Sequence, residues 1–365
     1  MKGRRDEMAE STRWSVSGDT GPEPEIVLHL GAHKTGTTSL QRALRDSTDD
    51  LAAAGWVFQG KRVGPLRSVF SVVHDRHGLP RSTASPSASD DELVDRLRTE
   101  VGAILASGRR LVVSDETLFG QPGVRRGLYP DADRVADVVG RAFEGMSVLP
   151  VLVIRRQPEF LESWYVQTVK QGGGRTFDEF LESIDLDSVS WTTYARRLSE
   201  WLGVDPLLVA YEWLGSREGG VIGWFFERLG LAWAPGDGDL DLNSGFSESA
   251  LLIALAAHPH LDRDQRAGLR RFLERNVSDR SAHRPRLLSD VGRRHIVDVL
   301  SDDNAQCFDS GVVADSAVRA RYVGSADGDE PIDGPPYHEQ WPAVREALRG
   351  WIEASVDAMS PDTPT

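Results

Sequence analysis

The sequence predicts an α/β fold: a parallel sheet with helices on both faces, followed by helical extensions toward the C-terminus. Three observations predict it. Short apolar runs recur at Ile26–Leu30, Leu111–Val113, Val148–Ile154 and from Pro206 to Glu212, and near-continuous apolar strands belong to sheets covered on both sides. Between these runs the apolar residues return every three or four positions, the helical period, and strands that alternate with helices make a parallel sheet. The first run also ends in a glycine turn that leads directly into a helical pattern.

The elements follow in order. Residues 1–24 read as a disordered lead, charged and polar and closing on Gly21, Pro22, Glu23 and Pro24. From Thr37 a helix is expected, with Leu40, Ala43 and Leu44 on one face and Gln41, Arg42 and Arg45 off it. Gly55 ends a second helical stretch before a short strand at Trp56–Phe58. Residues 61–90 carry Arg62, Arg67, His74, Arg76 and His77 and then a Ser/Ala/Asp-rich run. A segment of that length without its own pattern reads as a mobile substrate segment. Helical spacing returns over Asp91–Ala106 (Leu93, Leu97, Val101, Ile104), and the strands at 111–113 and 148–154 follow. Pro158 suits the first turn of a helix whose apolar side is Phe160, Leu161, Trp164 and Val169. Further helices are expected at Phe177–Leu181, Tyr194–Leu202, Val221–Leu229 and from Ser247, then as pieces over 262–306. One α/β domain is expected over 25–326, with a loop, a last helix from about Pro342 to Met359 and a tail making up 327–365.

Composition bounds the function. A net charge of -14 argues against broad nucleic-acid or anionic-membrane binding while leaving room for a local basic pocket. The single cysteine, Cys307, excludes an intramolecular disulfide and a cysteine-rich zinc site. No apolar run reaches the ~18 residues of a membrane span, and the first 25 residues hold no apolar core of a secretion signal. The expected compartment is the cytoplasm.

The chemistry concentrates at Gly31-Ala32-His33-Lys34-Thr35-Gly36-Thr37-Thr38. A strand, a glycine turn and a helix start aim backbone N–H groups and the positive end of a helix dipole at one point, which makes an anion site. The loop departs from Walker A, in which lysine follows the last glycine; here Lys34 precedes Gly36. Only four of the 42 lysines and arginines are lysine, so a chain that otherwise uses arginine keeps a lysine in this loop. Lysine is a compact point charge, arginine a rigid fork. The loop resembles the one with which sulfotransferases grip the 5′-phosphosulfate of 3′-phosphoadenosine-5′-phosphosulfate (PAPS), in the bacterial branch with a His-Lys-Thr-Gly-Thr-Thr sequence.

A second stretch, Val153-Ile154-Arg155-Arg156-Gln157-Pro158 through Ser163, resembles the sulfotransferase signature that binds the 3′-phosphate of PAPS, where an arginine at a strand end and a serine on the next helix share the phosphate. Arg156 has the right distance to Pro158 and Arg155 the right distance to Ser163, so both remain candidates. The resemblance implies a P-loop-like sulfotransferase fold, PAPS as the donor, and a hydroxyl or amine acceptor, a small molecule or a glycan. It implies that Gly31, His33, Lys34, Thr35, Gly36, Thr37 and Thr38 bind the donor with Arg155, Arg156 and Ser163.

Sulfuryl transfer parallels phosphoryl transfer, an in-line displacement in which positioning and charge stabilisation dominate; the sulfuryl group carries less charge, and no metal is expected. Lys34 is the expected stabiliser of the leaving oxygen. The general base is expected to be Glu116, just past a strand end, with His77, His74 and His33 as alternatives; Glu116 serves equally as a helix-start carboxylate. Two other readings stay open: a P-loop kinase or ATPase, in which Leu111–Glu116 is a Walker B strand, and a nucleotide-binding module without turnover. The sequence leaves the acceptor and the oligomeric state open.

Overall fold

The computed structural model describes residues 23–60, 89–116, 118, 122–123, 128–130, 132–233, 246–277, 285–324, 346 and 349–351. The segment 61–88, with His74 and His77, lies outside the described residues, as do most of the N-terminal lead and of the stretch expected to hold the last helix. Of that helix Glu346 and Arg349–Trp351 are described, and they are helical. The contacts fall into two compact units, one of Met1–Gln157, Asp185–Leu240 and Ile296–Ser325, the other of Pro158–Ile184, Asp241–His295 and Ala326–Thr365.

The first unit is built on strands β1 (Ile26–His29), β2 (Trp56–Gly60), β3 (Arg110–Ser114), β4 (Val148–Ile154) and β5 (Leu207–Ala210). They form one sheet in the order β2-β3-β1-β4-β5, every pair parallel. Helices α1 (Thr37–Asp46) and α2 (Thr48–Ala53) lie between β1 and β2, α3 (Asp90–Ala106) between β2 and β3, and α4 (Ala132–Phe143) between β3 and β4. After β4 the chain enters α5 (Gln157–Lys170) and, past α6 (Phe177–Glu182), α7 (Trp191–Leu202) leads back to β5. β5 is followed by α8 (Tyr211–Gly215) and α9 (Gly220–Arg228). Tyr211 and Glu212, expected to prolong the fourth strand, open α8 instead: the pairing of β5 ends at Ala210, whose N–H is taken by the Val313 carbonyl at 3.1 Å.

Valine and leucine fill both faces of the sheet. Val27, Val112, Val151, Val153 and Val209 share one cluster with Leu40 and Leu44 of α1 and Trp224 and Phe225 of α9. Ile26, Leu28, Leu111, Val113 and Leu152 are equally buried and point the other way, since side chains alternate along a strand. On that side α3 packs on β3, α4 on α3, and α7 on α4. Every connection is a right-handed crossover if α1 takes one face and α3, α4 and α7 the other. Local chemistry fixes the helix starts: Ser89 and Glu92 form a reciprocal capping box on α3 and Ser190 caps α7. No element is expected from the sequence over 118–147, where α4 buries Val135, Val138, Val139 and Ala142.

The second unit carries the rest of α5, α6, α10 (Glu248–Ala257), α11 (Arg263–Asn276) and the start of α12 (Asp290–Val299), whose end returns to the first unit with α13 (Ser301–Asp309) and α14 (Ser316–Val323). Its polar centre is Arg293, which pairs with Glu162 at 2.9 Å and Glu159 at 2.6 Å, while the other Glu162 oxygen accepts the N–H groups of Leu287 and Leu288. Among the described residues no helix is long and apolar enough to cross a membrane.

Candidate functional site

In an open parallel sheet, ligands sit beyond the carboxyl ends of the strands where neighbouring crossovers leave for opposite faces. β1 is the central strand and its helix α1 leaves toward the α9 side, whereas the crossovers after β3 and β4 leave toward the α3 side. The glycine loop, residues 30–36, lies at this point. It begins by extending the pairing with β4, as the N–H groups of Leu30 and Ala32 reach the carbonyls of Val151 and Val153 at 2.9 and 3.0 Å. It then turns sharply: Lys34 has φ 73 and Gly36 φ 79. Glycine reaches this left-handed region freely, but an L residue such as Lys34 pays roughly 1–2 kcal/mol for it.

The start of α1 is open. Its N-cap is Gly36, no side chain caps it, and its first turn holds no acidic residue. The first N–H groups of a helix have no partner within the helix, so those of Thr37, Thr38 and Ser39 remain for a ligand. Thr37 Oγ1 is buried and has no hydrogen-bond partner among the described residues, while Thr38 is exposed. Thr35 Oγ1 is committed to the Ala32 carbonyl at 2.6 Å. A Cβ on Gly31 would lie 2.7 Å from His29 Nε2, 2.9 Å from Thr35 Oγ1 and 3.0 Å from Thr37 Oγ1, so glycine is required where three polar atoms converge. An open helix start, a buried hydroxyl left over and a lysine half-buried in the turn make up a donor set that suits an anion.

Two further strand ends meet the loop. From β4, Arg155 donates through Nη1 to the Lys34 carbonyl at 3.0 Å and lies with its guanidinium carbon 5.4 Å from the centre of the Tyr211 ring. The backbone here is pinned: Trp191 Nε1 donates to the Arg155 carbonyl at 2.8 Å, the Arg156 N–H reaches Glu212 Oε1 at 3.2 Å, and Tyr322 Oη donates to Glu212 Oε2 at 2.5 Å. Arg156 is 1% exposed. Ser163 lies on α5 in the second unit and is half-buried. From β3, Glu116 follows the buried Ser114 and Asp115; Gln41 of α1 donates both to the Ser114 carbonyl and to Glu116 Oε2, each at 2.9 Å. Glu116 is thus tied to the helix that the glycine loop starts.

His33 is held by Tyr129, whose hydroxyl accepts the His33 N–H at 3.1 Å and stands 3.0 Å from His33 Nδ1. Burial raises the Tyr129 hydroxyl well above the ordinary tyrosine range. Beneath the loop, His29 Nδ1 lies 2.8 Å from Ser114 Oγ. Burial lowers its imidazole to about 3, because a charged ring has no water to solvate it there. The structure therefore gathers His33, Lys34, Thr35, Thr37, Glu116 and Arg155 in one unit. The residues that sequence reasoning did not single out are His29, Gln41, Tyr129, Tyr211, Glu212 and Tyr322. His29 carried a signal, a polar residue inside an apolar strand; Tyr129 and Tyr322 carried none. No protein-family model and no curated protein matches the chain. Among the described residues no group of His, Cys, Asp and Glu is arranged to hold a metal ion.

Proposed function

We propose that the protein transfers a sulfuryl group from PAPS to a hydroxyl, or less readily an amine, on a small-molecule or glycan acceptor. On this reading the α/β fold is a P-loop-like sulfotransferase fold and the reaction runs in the cytoplasm. The observation that carries the reading is the uncapped start of α1 behind a turn that holds Lys34. An anion site is expected there in any P-loop-like fold; the lysine ahead of the last glycine, as in sulfotransferase loops, is what favours a phosphosulfate.

Lys34 then stabilises the negative charge on the bridging oxygen as the sulfur–oxygen bond to the nucleotide breaks and the bond to the acceptor oxygen forms. The N–H groups at the start of α1 and the Thr37 hydroxyl hold the 5′-phosphate. Glu116 takes the acceptor proton, and Gln41 keeps its carboxylate in place. Arg155, against the loop, and Arg156 are the candidates for the 3′-phosphate; a second phosphate on the nucleotide explains two arginines at one strand end.

The deciding experiment is transfer from [35S]PAPS over a panel of sugars, phenols and amines, with adenosine 3′,5′-bisphosphate as the product. A second reading, a P-loop kinase or ATPase, is favoured by one feature: Asp115 is buried at the carboxyl end of β3, beside β1, where a magnesium-holding acid would stand. Thermal stabilisation by adenosine 3′,5′-bisphosphate without magnesium supports sulfuryl transfer, and stabilisation by Mg-ATP alone supports the kinase.

A further inference from the structure

Buried arginines in this chain have unlike surroundings. Arg293, 5% exposed, is held between the carboxylates of Glu159 and Glu162 at 2.6 and 2.9 Å. Arg155, 7% exposed, makes no ion pair among the described residues. Its Nη1 donates to the Lys34 carbonyl at 3.0 Å, and its Nε is buried with no hydrogen-bond partner among the described residues. The Tyr211 ring, centred 5.4 Å from the guanidinium carbon, offers only the partial negative charge of its face. A guanidinium does not give up its proton in a protein. The fold therefore carries a buried positive charge without a counter-charge, and such a charge is destabilising.

That charge stands where a bound anion would compensate it. The Lys34 carbonyl belongs to the turn itself. Tyr211, which flanks Arg155, also flanks the helix start: a Cβ on Gly36, the N-cap of α1, would lie 3.8 Å from Tyr211 Cε2. Arg155 is thus set against the turn from which the first N–H groups of α1 emerge, and only one of its five N–H groups is spent on the carbonyl. We infer that Arg155 is a ligand of the anion in the glycine loop, the same anion that Lys34 and the start of α1 receive, and not of a second phosphate elsewhere on the nucleotide. Two cations at one turn match the two negative charges of a phosphosulfate. The rigid fork of arginine fixes the orientation of the anion, while the lysine point charge follows the leaving oxygen. The identity of the anion as a phosphosulfate rests on the sulfuryl-transfer reading; the role of Arg155 requires only an anion in the loop.

The test compares the full chain as wild type and as Arg155→Met, which keeps a long unbranched side chain without the charge. Calorimetry without magnesium measures adenosine 5′-phosphosulfate, which has no 3′-phosphate, and adenosine 3′,5′-bisphosphate, which has one. The variant is expected to bind the phosphosulfate about 10–100-fold more weakly, the loss of a hydrogen bond between charged groups, and the bisphosphate to lose no more than that. Urea denaturation of the ligand-free proteins is expected to place the midpoint of the variant at or above that of wild type, because the buried charge without a counter-charge is gone.

A loss confined to the bisphosphate, or larger for it, gives Arg155 to the 3′-phosphate and overturns the assignment. Unchanged affinity for both nucleotides overturns it too. A variant with a lower urea midpoint, or one that does not fold, marks an arginine kept to hold the loop together, and the assignment falls. If wild type binds Mg-ATP and neither of the other two, the sulfuryl-transfer reading fails while the role of Arg155 is still decided. Mg-ATP also lacks a 3′-phosphate, so a loss of the same size supports the assignment and unchanged binding overturns it. If wild type binds none of the three, no anion seats in the loop and the assignment falls with it.

Discussion

The hydroxyl of Tyr129 accepts the backbone N–H of His33 at 3.1 Å and lies 3.0 Å from Nδ1 of the same residue. One side chain from a distant part of the chain thus fixes both the backbone and the ring of a loop residue. Burial keeps the phenol protonated, and its oxygen stands within hydrogen-bond distance of the ring. Tyr129→Phe removes the acceptor of a part-buried N–H, and we expect it to cost about 1–3 kcal/mol in urea denaturation. Adenosine 3′,5′-bisphosphate should bind more weakly to the variant; unchanged stability and unchanged affinity together would show that the tyrosine does not brace the loop.

Lys34 sits at φ 73, where its side chain is tolerated rather than preferred. Lys34→Ala and Lys34→Gly both remove the ammonium group, and both should lower turnover with PAPS by on the order of 10²–10³. The two differ in stability: glycine relieves the left-handed backbone and should be the more stable by on the order of 1 kcal/mol, after its larger unfolded-state entropy is set against the relief. Turnover within a few-fold of wild type in both variants would remove Lys34 from the chemistry.

Gly31 has no room for a methyl group. Gly31→Ala places a carbon 2.7 Å from His29 Nε2 and 2.9 Å from Thr35 Oγ1, and neither atom can retreat from a core with both sheet faces filled. Destabilisation of about 1–3 kcal/mol is expected from such overpacking, with loss of nucleotide binding, both read in one thermal-shift titration.

Glu116→Gln keeps an oxygen that accepts from Gln41 but loses the basic carboxylate. The turnover should fall by on the order of 10²–10⁴ while the dissociation constant for adenosine 3′,5′-bisphosphate stays the same. A parallel loss of binding would mean that Glu116 organises the donor site and is not the base.

Stability should depend on pH through His29. Its folded value, about 3, lies below the ordinary 6.5 of the unfolded chain, so between these values the unfolded state binds the extra proton. The contribution is fully present above about pH 6.5 and is lost as pH falls toward 3, with a slope of at most about 1.4 kcal/mol per unit. Urea denaturation of wild type and His29→Gln at pH 8, 6.5, 5.5 and 4.5 should give a wild-type advantage that shrinks below pH 6.5. A constant difference would show that His29 is charged or exposed in the folded state.

Much of the site is written locally. The strands at 111–113 and 148–154 announce themselves as buried apolar runs, and the turn at 31–36 by its two glycines and its position between a strand and a helix. What could not be read is what crosses from one element to another. Nothing in the local sequence ties Arg155 to the Lys34 carbonyl, Tyr322 to Glu212 or Tyr129 to His33, because each pairing depends on the order in which strands are laid side by side. Tyr211 and Glu212 were misread because their apolar approach looks like strand, whereas the pairing with β4 runs only to Ala210 and a helix begins at Tyr211. The helix α4 was not predicted, although Val135, Val138, Val139 and Ala142 stand at helical spacing within it.

The scarcity of lysine has a practical consequence. Amine-reactive reagents meet four side chains in the whole chain, Lys2, Lys34, Lys61 and Lys170. Of these Lys170 is bound to Glu274 at 2.9 Å and is removable by conversion to arginine, as are Lys2 and Lys61. The triple arginine variant would carry its only lysine side-chain amine in the glycine loop, ready for a fluorophore or an isotope-labelled methyl group that reports directly on what enters there.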